Sequence, residues 1–181
     1  MALAAAAFAL AAAPASQPAS APAPTANLGP NLLVNGDFEH ALDGWDSAKD
    51  NGMSLVSPEA AHNGGFGLRV TDDDPDKGSS LASERFPANP GQVYEARFWA
   101  RIMSGKDTLV YIQFFDNKNK QLTTKESGKQ IQIRVIGGQW REYTGRGVAP
   151  EGTASTRVWI HTINNGKAIA DFDDFTFCEV K

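Results

Sequence analysis

The chain has 181 residues, 17 Lys and Arg against 21 Asp and Glu, a net charge of −4 and a single cysteine, Cys178. No basic block interrupts it, which speaks against nucleic acid and against membrane surfaces as partners. One cysteine permits neither an intrachain disulfide nor a Cys-x-x-Cys metal site.

The first charged residue is Asp37. Residues 2–13 are nearly all alanine, with Phe8 and Leu10 among them. That run has the length of the apolar stretch of a signal peptide and is too short to span a bilayer. Ala-x-Ala sequences follow at Ala11 to Ala13 and Ala21 to Ala23. Residues 1–26 are therefore expected to be a leader, making the protein secreted or periplasmic; a disordered Ala/Pro-rich tail is the alternative. Residues 27–30 form a short tether, and residues 31–181 one domain with room for a sizeable core.

That domain opens on Asn35-Gly36-Asp37-Phe38-Glu39. Turn signals then recur about every ten residues, the mark of an all-β sandwich or barrel. They include Asn63-Gly64-Gly65, Asn89-Pro90-Gly91, Gly137-Gly138 and Ala149-Pro150-Glu151-Gly152. The acidic stretch Asp72 to Lys77 lacks the glycine and distal Glu of an EF-hand and reads as a solvated loop. Between the turns the residues alternate. Tyr94, Ala96, Phe98, Ala100 and Ile102 share one face of a strand, as do Val110, Ile112 and Phe114, then Ile131, Ile133 and Val135, then Val158 and Ile160. The last segment, Asp171 to Phe177, puts Asp173 on the same parity as Phe175 and Phe177. A carboxylate facing inward needs a cation or a cluster of donors. If the first and last strands are neighbours, the opening and closing motifs make an oxygen cage suited to calcium.

These motifs, with Gly44-Trp45, Gly67-Leu68-Arg69-Val70, Pro90-Gly91, Gln139-Trp140 and Ala149-Pro150, resemble the carbohydrate-binding modules that accompany cellulases and xylanases, members of the galactose-binding-like superfamily. The likeness runs from about Asn31 to Val180. It implies a jelly-roll β-sandwich of two antiparallel sheets and a structural calcium ion held by Asp173, Asp37 and Glu39. Hydrogen bonds from the opening loop are the alternative partners of Asp173. His40 and His62 flank this region, but a hard cation prefers oxygen.

Jelly-roll wiring divides the core strands between sheets. With strands starting near Gly67, Ser80, Gln92, Thr108, Gln130, Trp140, Ser155 and Ala168, the second, fourth, fifth and seventh share one sheet. Its outer face then carries Tyr111, Gln113 and Phe115, then Gln130, Gln132 and Arg134, then Arg157, Trp159 and His161. Aromatic rings suit the C–H faces of pyranoses, and amides suit their hydroxyls. Gln113 and Gln132 are expected to pair with vicinal hydroxyls. Arg134 and Arg157 are expected to bind hydroxyls or, where they converge, a uronate carboxylate. The resemblance places glycan contacts at or near Tyr111, Asn117, Arg157 and His161. On the other sheet Trp99 is expected to stack between two arginines, while Trp45 and Trp140 serve as packing anchors.

No nucleophile elbow, His-Glu-x-x-His pattern or phosphate loop is present. The expected protein is a monomer that binds a polysaccharide or oligosaccharide without cleaving it and accompanies a glycoside hydrolase. The alternatives are a structural or protein-interaction module of the same fold, and a small polysaccharide lyase or glycosidase using the same face.

Overall fold

The computed structural model of the protein describes residues 27–106, 108–123, 130–164 and 166–181. The leader expected over residues 1–26 lies outside them. Among the described residues there is one short 3₁₀ turn, Pro58–Ala60, and no α-helix. The strands are β1 (Trp45–Asp46), β2 (Ser54–Ser57), β3 (Gly67–Asp72), β4 (Leu81–Ser83), β5 (Phe86–Pro87) and β6 (Val93–Gly105). They continue with β7 (Thr108–Phe115), β8 (Gln121–Leu122), β9 (Ile131–Val135), β10 (Arg141–Val148), β11 (Ser155–Thr162) and β12 (Ala168–Val180).

Two antiparallel sheets result. One runs β1–β4–β11–β7–β8, with β5 also on β11 and β9 also on β7; the other runs β10–β6–β12–β3–β2. The eight expected core strands begin within one residue of the positions read from sequence, and β4, β7, β9 and β11 do share a sheet. The fold is the expected jelly-roll β-sandwich.

Alternation of apolar and polar residues makes each strand two-faced, and the apolar faces meet between the sheets. Val110, Ile112 and Phe114 of β7 and Val158 and Ile160 of β11 are buried in one core with Tyr94, Ala96, Phe98 and Ala100 of β6. At one edge β10 of the second sheet closes onto β9 of the first. Gly145 and Gly147 permit this, because a Cβ at either position would strike the side chains of Ile133 and Ile131.

The opening and closing motifs lie together, as expected. Asn35 ties the first turn by donating to the carbonyls of Ala41 and Asp43 and accepting from the His40 N–H. Phe38 is thereby driven into the core, where its ring lies 5.2 Å from Trp45 and 6.0 Å from Phe175. The Phe175 N–H donates to the Gly36 carbonyl at 2.8 Å. Residues 27–32 run antiparallel to the end of β12: Leu28 bridges Val180, and the Gly29 and Leu32 N–H groups bond Glu179 and Phe177.

Strict alternation fails at one point in β12. Asp174 has φ = 53°, and the pairing with β6 slips between Asp173 and Thr176. Such a bulge adds one residue to one strand and reverses the parity beyond it; Asp tolerates the left-handed region better than most residues. Phe172 and Phe175 therefore both enter the core, while Asp173 pairs with Trp99 on the outer side of the sheet. The expectation that Asp173 shares a face with Phe175 and Phe177 is corrected accordingly.

That outer side is closed by charge pairs. Arg69 and Arg101 both donate to fully buried Asp171. Arg97 and Arg146 both donate to Glu95. Trp99 is not stacked between arginines: His62 lies parallel to it at 4.1 Å, and Arg101 sits over Trp140. Trp45 is a buried anchor, whereas Trp140 is half-buried on this surface.

Burial pushes the Glu95 carboxyl up, but its bonds from Arg146 and Arg97 outweigh this and hold it below the usual value. A depressed folded-state value supplies stability above the ordinary carboxylate range, lost as the pH falls through the lowered value. Glu95→Gln is expected to flatten the acid limb of a stability–pH curve measured by urea unfolding from about pH 6 to 3. An unchanged slope would show that these pairs add nothing to acid sensitivity.

Candidate binding face

β11 alternates without a fault: Thr156, Val158, Ile160 and Thr162 are buried, and Ser155, Arg157, Trp159 and His161 are half-exposed on the other side. It pairs with β7 along its whole length, which sets Trp159 opposite Tyr111, Arg157 opposite Gln113 and His161 opposite Leu109. β9 continues the row on the far side of β7, with exposed Gln132 opposite Tyr111. Tyr111, Trp159 and His161 form an aromatic row. The Trp159 ring is 4.8 Å from Tyr111 and stacks on His161 at 4.4 Å, 17° from parallel.

Two buried carboxylates that sequence reasoning missed hold this row from behind. Asp50 accepts from the N–H and hydroxyl of Ser54 and from the N–H of Ser80 at 2.8 Å. The Ser80 hydroxyl in turn accepts the Trp159 indole N–H at 3.0 Å. Asp72, read from sequence as the start of a solvated loop, is fully buried and accepts the Thr162 hydroxyl. Thr162 and Ser79 exchange bonds, and the Ser79 carbonyl meets His161 Nδ1. A carbonyl only accepts, so the hydrogen is on Nδ1, and in the neutral ring Nε2 is an acceptor. The indole N–H is already used, so Trp159 offers a ligand its ring alone.

Not every residue assigned to this face is free to bind. Gln113 is only 3% exposed, and its amide is spent: its oxygen accepts from Arg157 Nε at 2.8 Å and its NH₂ donates to Gln130 at 3.3 Å. The expected pairing of Gln113 with sugar hydroxyls is therefore corrected; it positions Arg157 instead. Tyr111 and Phe115 have the expected outward parity but are covered, Tyr111 by Trp159 and Phe115 by Arg85 and Arg157. Asn117 is at the exposed tip of the β7–β8 turn, and its neighbour Asn119 reaches Arg85. Arg134 stands opposite Leu109, four residues along β7 from the partner of Arg157, about 13 Å away. Those two arginines do not converge.

The three carboxylates expected to hold calcium face hydrogen-bond donors or solvent. Asp173 accepts the N–H groups of His62, Asn63 and Asp174 at 2.7–3.1 Å. Glu39 accepts those of Gly65 and Phe66 at 2.7 and 3.0 Å. Asp37 is exposed and lines a cleft with Asp174, Asn31 and Asn35. Among the described residues no three His, Cys, Asp or Glu side chains are grouped to hold an ion. N–H groups already occupy both Asp173 oxygens and Glu39 Oε1, so hydrogen bonds satisfy these two carboxylates without an ion. Burial pushes the Asp173 carboxyl above its usual value against the pull of these donors.

A jelly-roll sandwich with an aromatic row on the outside of one sheet is the architecture of a carbohydrate-binding module. Residues 30–166 match the family model described as Carbohydrate binding domain, CBM_4_9, and the chain belongs to that family. No curated protein matches it. Among solved structures it is similar to a Family 16 Carbohydrate Binding Module-2, with 20% identity over 81% of this chain and 99% of that one and a TM-score of 0.63. It is similar also to the CBM22-1 xylan-binding domain of Paenibacillus barcinonensis Xyn10C, with 18% identity, 80% and 92% coverage and a TM-score of 0.57. A family 61 module in complex with β-1,4-galactotriose has 18% identity, 82% and 98% coverage and a TM-score of 0.53.

The carboxylate geometry has a measurable consequence. With hydrogen bonds satisfying Asp173, a chelator is expected to leave the melting temperature unchanged, and Asp173→Ala to cost about 1–3 kcal/mol by orphaning buried donors. A fall on chelation that Ca²⁺ restores and Mg²⁺ does not would return the ion to the site.

Proposed function

We propose that this carbohydrate-binding module holds its glycan against the outer face of β11 and β7, with Trp159 as the stacking platform. The observation that carries this reading is the fixed, half-exposed pair Trp159 and His161, backed by buried Tyr111. The indole is stacked on His161, packed on Tyr111 and locked by Ser80, so its ring is presented in one orientation before any ligand arrives. A platform ordered in advance spares the ordering cost on binding. Around it His161 Nε2 offers an acceptor, the terminal nitrogens of Arg157 offer donors, and Gln132 offers an amide from β9. The xylan-binding and galactotriose-bound modules of the same fold support a polysaccharide or oligosaccharide ligand.

The reading is of binding without bond cleavage. Lyase chemistry on this face would need His161 and Tyr111 as a free base and acid. Burial pushes the Tyr111 phenol further above its usual value, away from proton donation near neutral pH. In this reading the module is monomeric and accompanies a glycoside hydrolase acting on the same polysaccharide.

Trp159→Ala is expected to weaken binding to an insoluble or oligomeric glycan at least tenfold, since an aromatic anchor dominates such sites, while costing folding only about 1 kcal/mol. Val158→Asp, one residue away and inward, is expected to unfold the domain by burying a charge. Affinity by calorimetry and stability by urea unfolding separate the two. Binding that survives loss of both Trp159 and Tyr111 would move the glycan off this face.

The charge-free, alanine-rich first segment supports export. N-terminal sequencing of protein from its native host is expected to start between Pro14 and Asn31. Intact protein beginning at Met1 in the cytoplasm would refute it.

A further inference from the structure

At the Phe115 end of the face two guanidinium groups lie over one ring. The Arg85 carbon is 3.6 Å from the Phe115 centroid and the Arg157 carbon 5.2 Å. Each is oriented by a neutral amide oxygen: Arg85 donates to Asn119 at 2.7 Å, and Arg157 Nε to Gln113 at 2.8 Å. Neither forms an ion pair among the described residues. The opposite sheet treats its arginines differently. Arg69 and Arg101 share Asp171, and Arg97 and Arg146 share Glu95.

We propose that the face takes an acidic glycan, a uronate-containing polysaccharide, one of whose carboxylates is received between Arg85 and Arg157. This rests on the reading of the β11–β7 face as the glycan site. Two like charges beside one another, one of them half-buried, repel and lose hydration, and an anion placed between them relieves both costs. Burial and the neighbouring charge of Arg85 already draw the Arg157 guanidinium below its usual value, opposed by Asp46 without contact. Arginine stays charged even so. With its Nε held by Gln113, Arg157 keeps both terminal nitrogens for a carboxylate, the planar arrangement in which guanidinium groups bind such anions most strongly. Trp159 is two residues from Arg157 on the same side of β11, about 7 Å along the strand. A chain stacking one sugar ring on Trp159 thus brings the next sugar's carboxylate to the arginines. Gln113, Asn119 and Phe115 act as positioning residues for the pair.

The test uses calorimetry with galacturonate, glucuronate and mannuronate oligosaccharides, and with the same oligosaccharides after carboxyl reduction. At least one uronate oligosaccharide is expected to bind tenfold or more tightly than its reduced counterpart. The difference is expected to shrink in 0.5 M NaCl and in Arg85→Gln, with melting temperature confirming that the variant is folded. Equal affinity for the acid and reduced forms, or a preference untouched by salt and by Arg85→Gln, would overturn the proposal. So would tighter binding of a sulfated neutral oligosaccharide than of any uronate. Neutral binding that depends on Trp159 without an acid preference removes this inference alone. Failure to bind any of the oligosaccharides removes the glycan face as well.

Discussion

The continuous pairing of β7 with β11 is the constraint on which the proposed binding face depends. Eight successive residues of β11, Ser155 to Thr162, are matched to β7 without a slip. A shift of one residue would exchange Trp159 for Val158 and put every polar group of the face into the core. The register is held from both sides: Val158 and Ile160 are fully buried, and Asp50 and Asp72 secure the outward residues through Ser79, Ser80 and Thr162. Neither carboxylate has a cationic partner in these contacts; N–H and O–H groups meet their charge. Losing any one of those donors leaves a buried charge less satisfied. Packing and the proposed binding face are thus tied to the same short segment, Gly78 to Ser80.

The two outer faces of the sandwich use arginine in opposite ways. On the β6–β12–β3 side each guanidinium meets a buried carboxylate, so charge is cancelled within the fold and the surface is sealed. On the β7–β11 side Arg85 and Arg157 meet only amide oxygens and a ring. The first arrangement is complete in the isolated chain; the second presents donors to a partner from outside. Such a difference between faces of one domain points to function more directly than exposure does, since scattered apolar atoms occur on any surface.

Much of this was legible in the sequence, because turn residues mark where strands end and a period of two decides which way side chains point. Strand starts, sheet membership and the outward set Tyr111, Gln113, Phe115, Arg157, Trp159 and His161 all follow from those rules. Parity gives direction, however, and not accessibility. Gln113 points outward and is spent on Arg157, its direct cross-strand partner, a contact the register alone could have revealed. The bulge at Asp174 was illegible because a single left-handed residue leaves no mark on alternation, and it carried Asp173 to the wrong side of the expected core. Arg85 was missed because it lies between the short strands β4 and β5, where no period exists. Asp50 and Asp72 act on Ser80 and Thr162, 30 and 90 residues away, a distance that no local pattern spans.

The N-terminal segment adds a mechanical property. Residues 27–32 and the end of β12 run antiparallel, so the backbone enters and leaves the described sandwich at neighbouring points, with the Asn27 carbonyl bonded to the Lys181 N–H at 2.7 Å. A load drawn through residues 27 and 181 falls on that bond first, then on the Leu28–Val180 bridge, then on the Gly29 and Leu32 bonds in succession. The rungs open like a zipper, one at a time, instead of resisting together in shear. Under tension this edge peels first and gently, while the β7–β11 pairing stays out of the line of force.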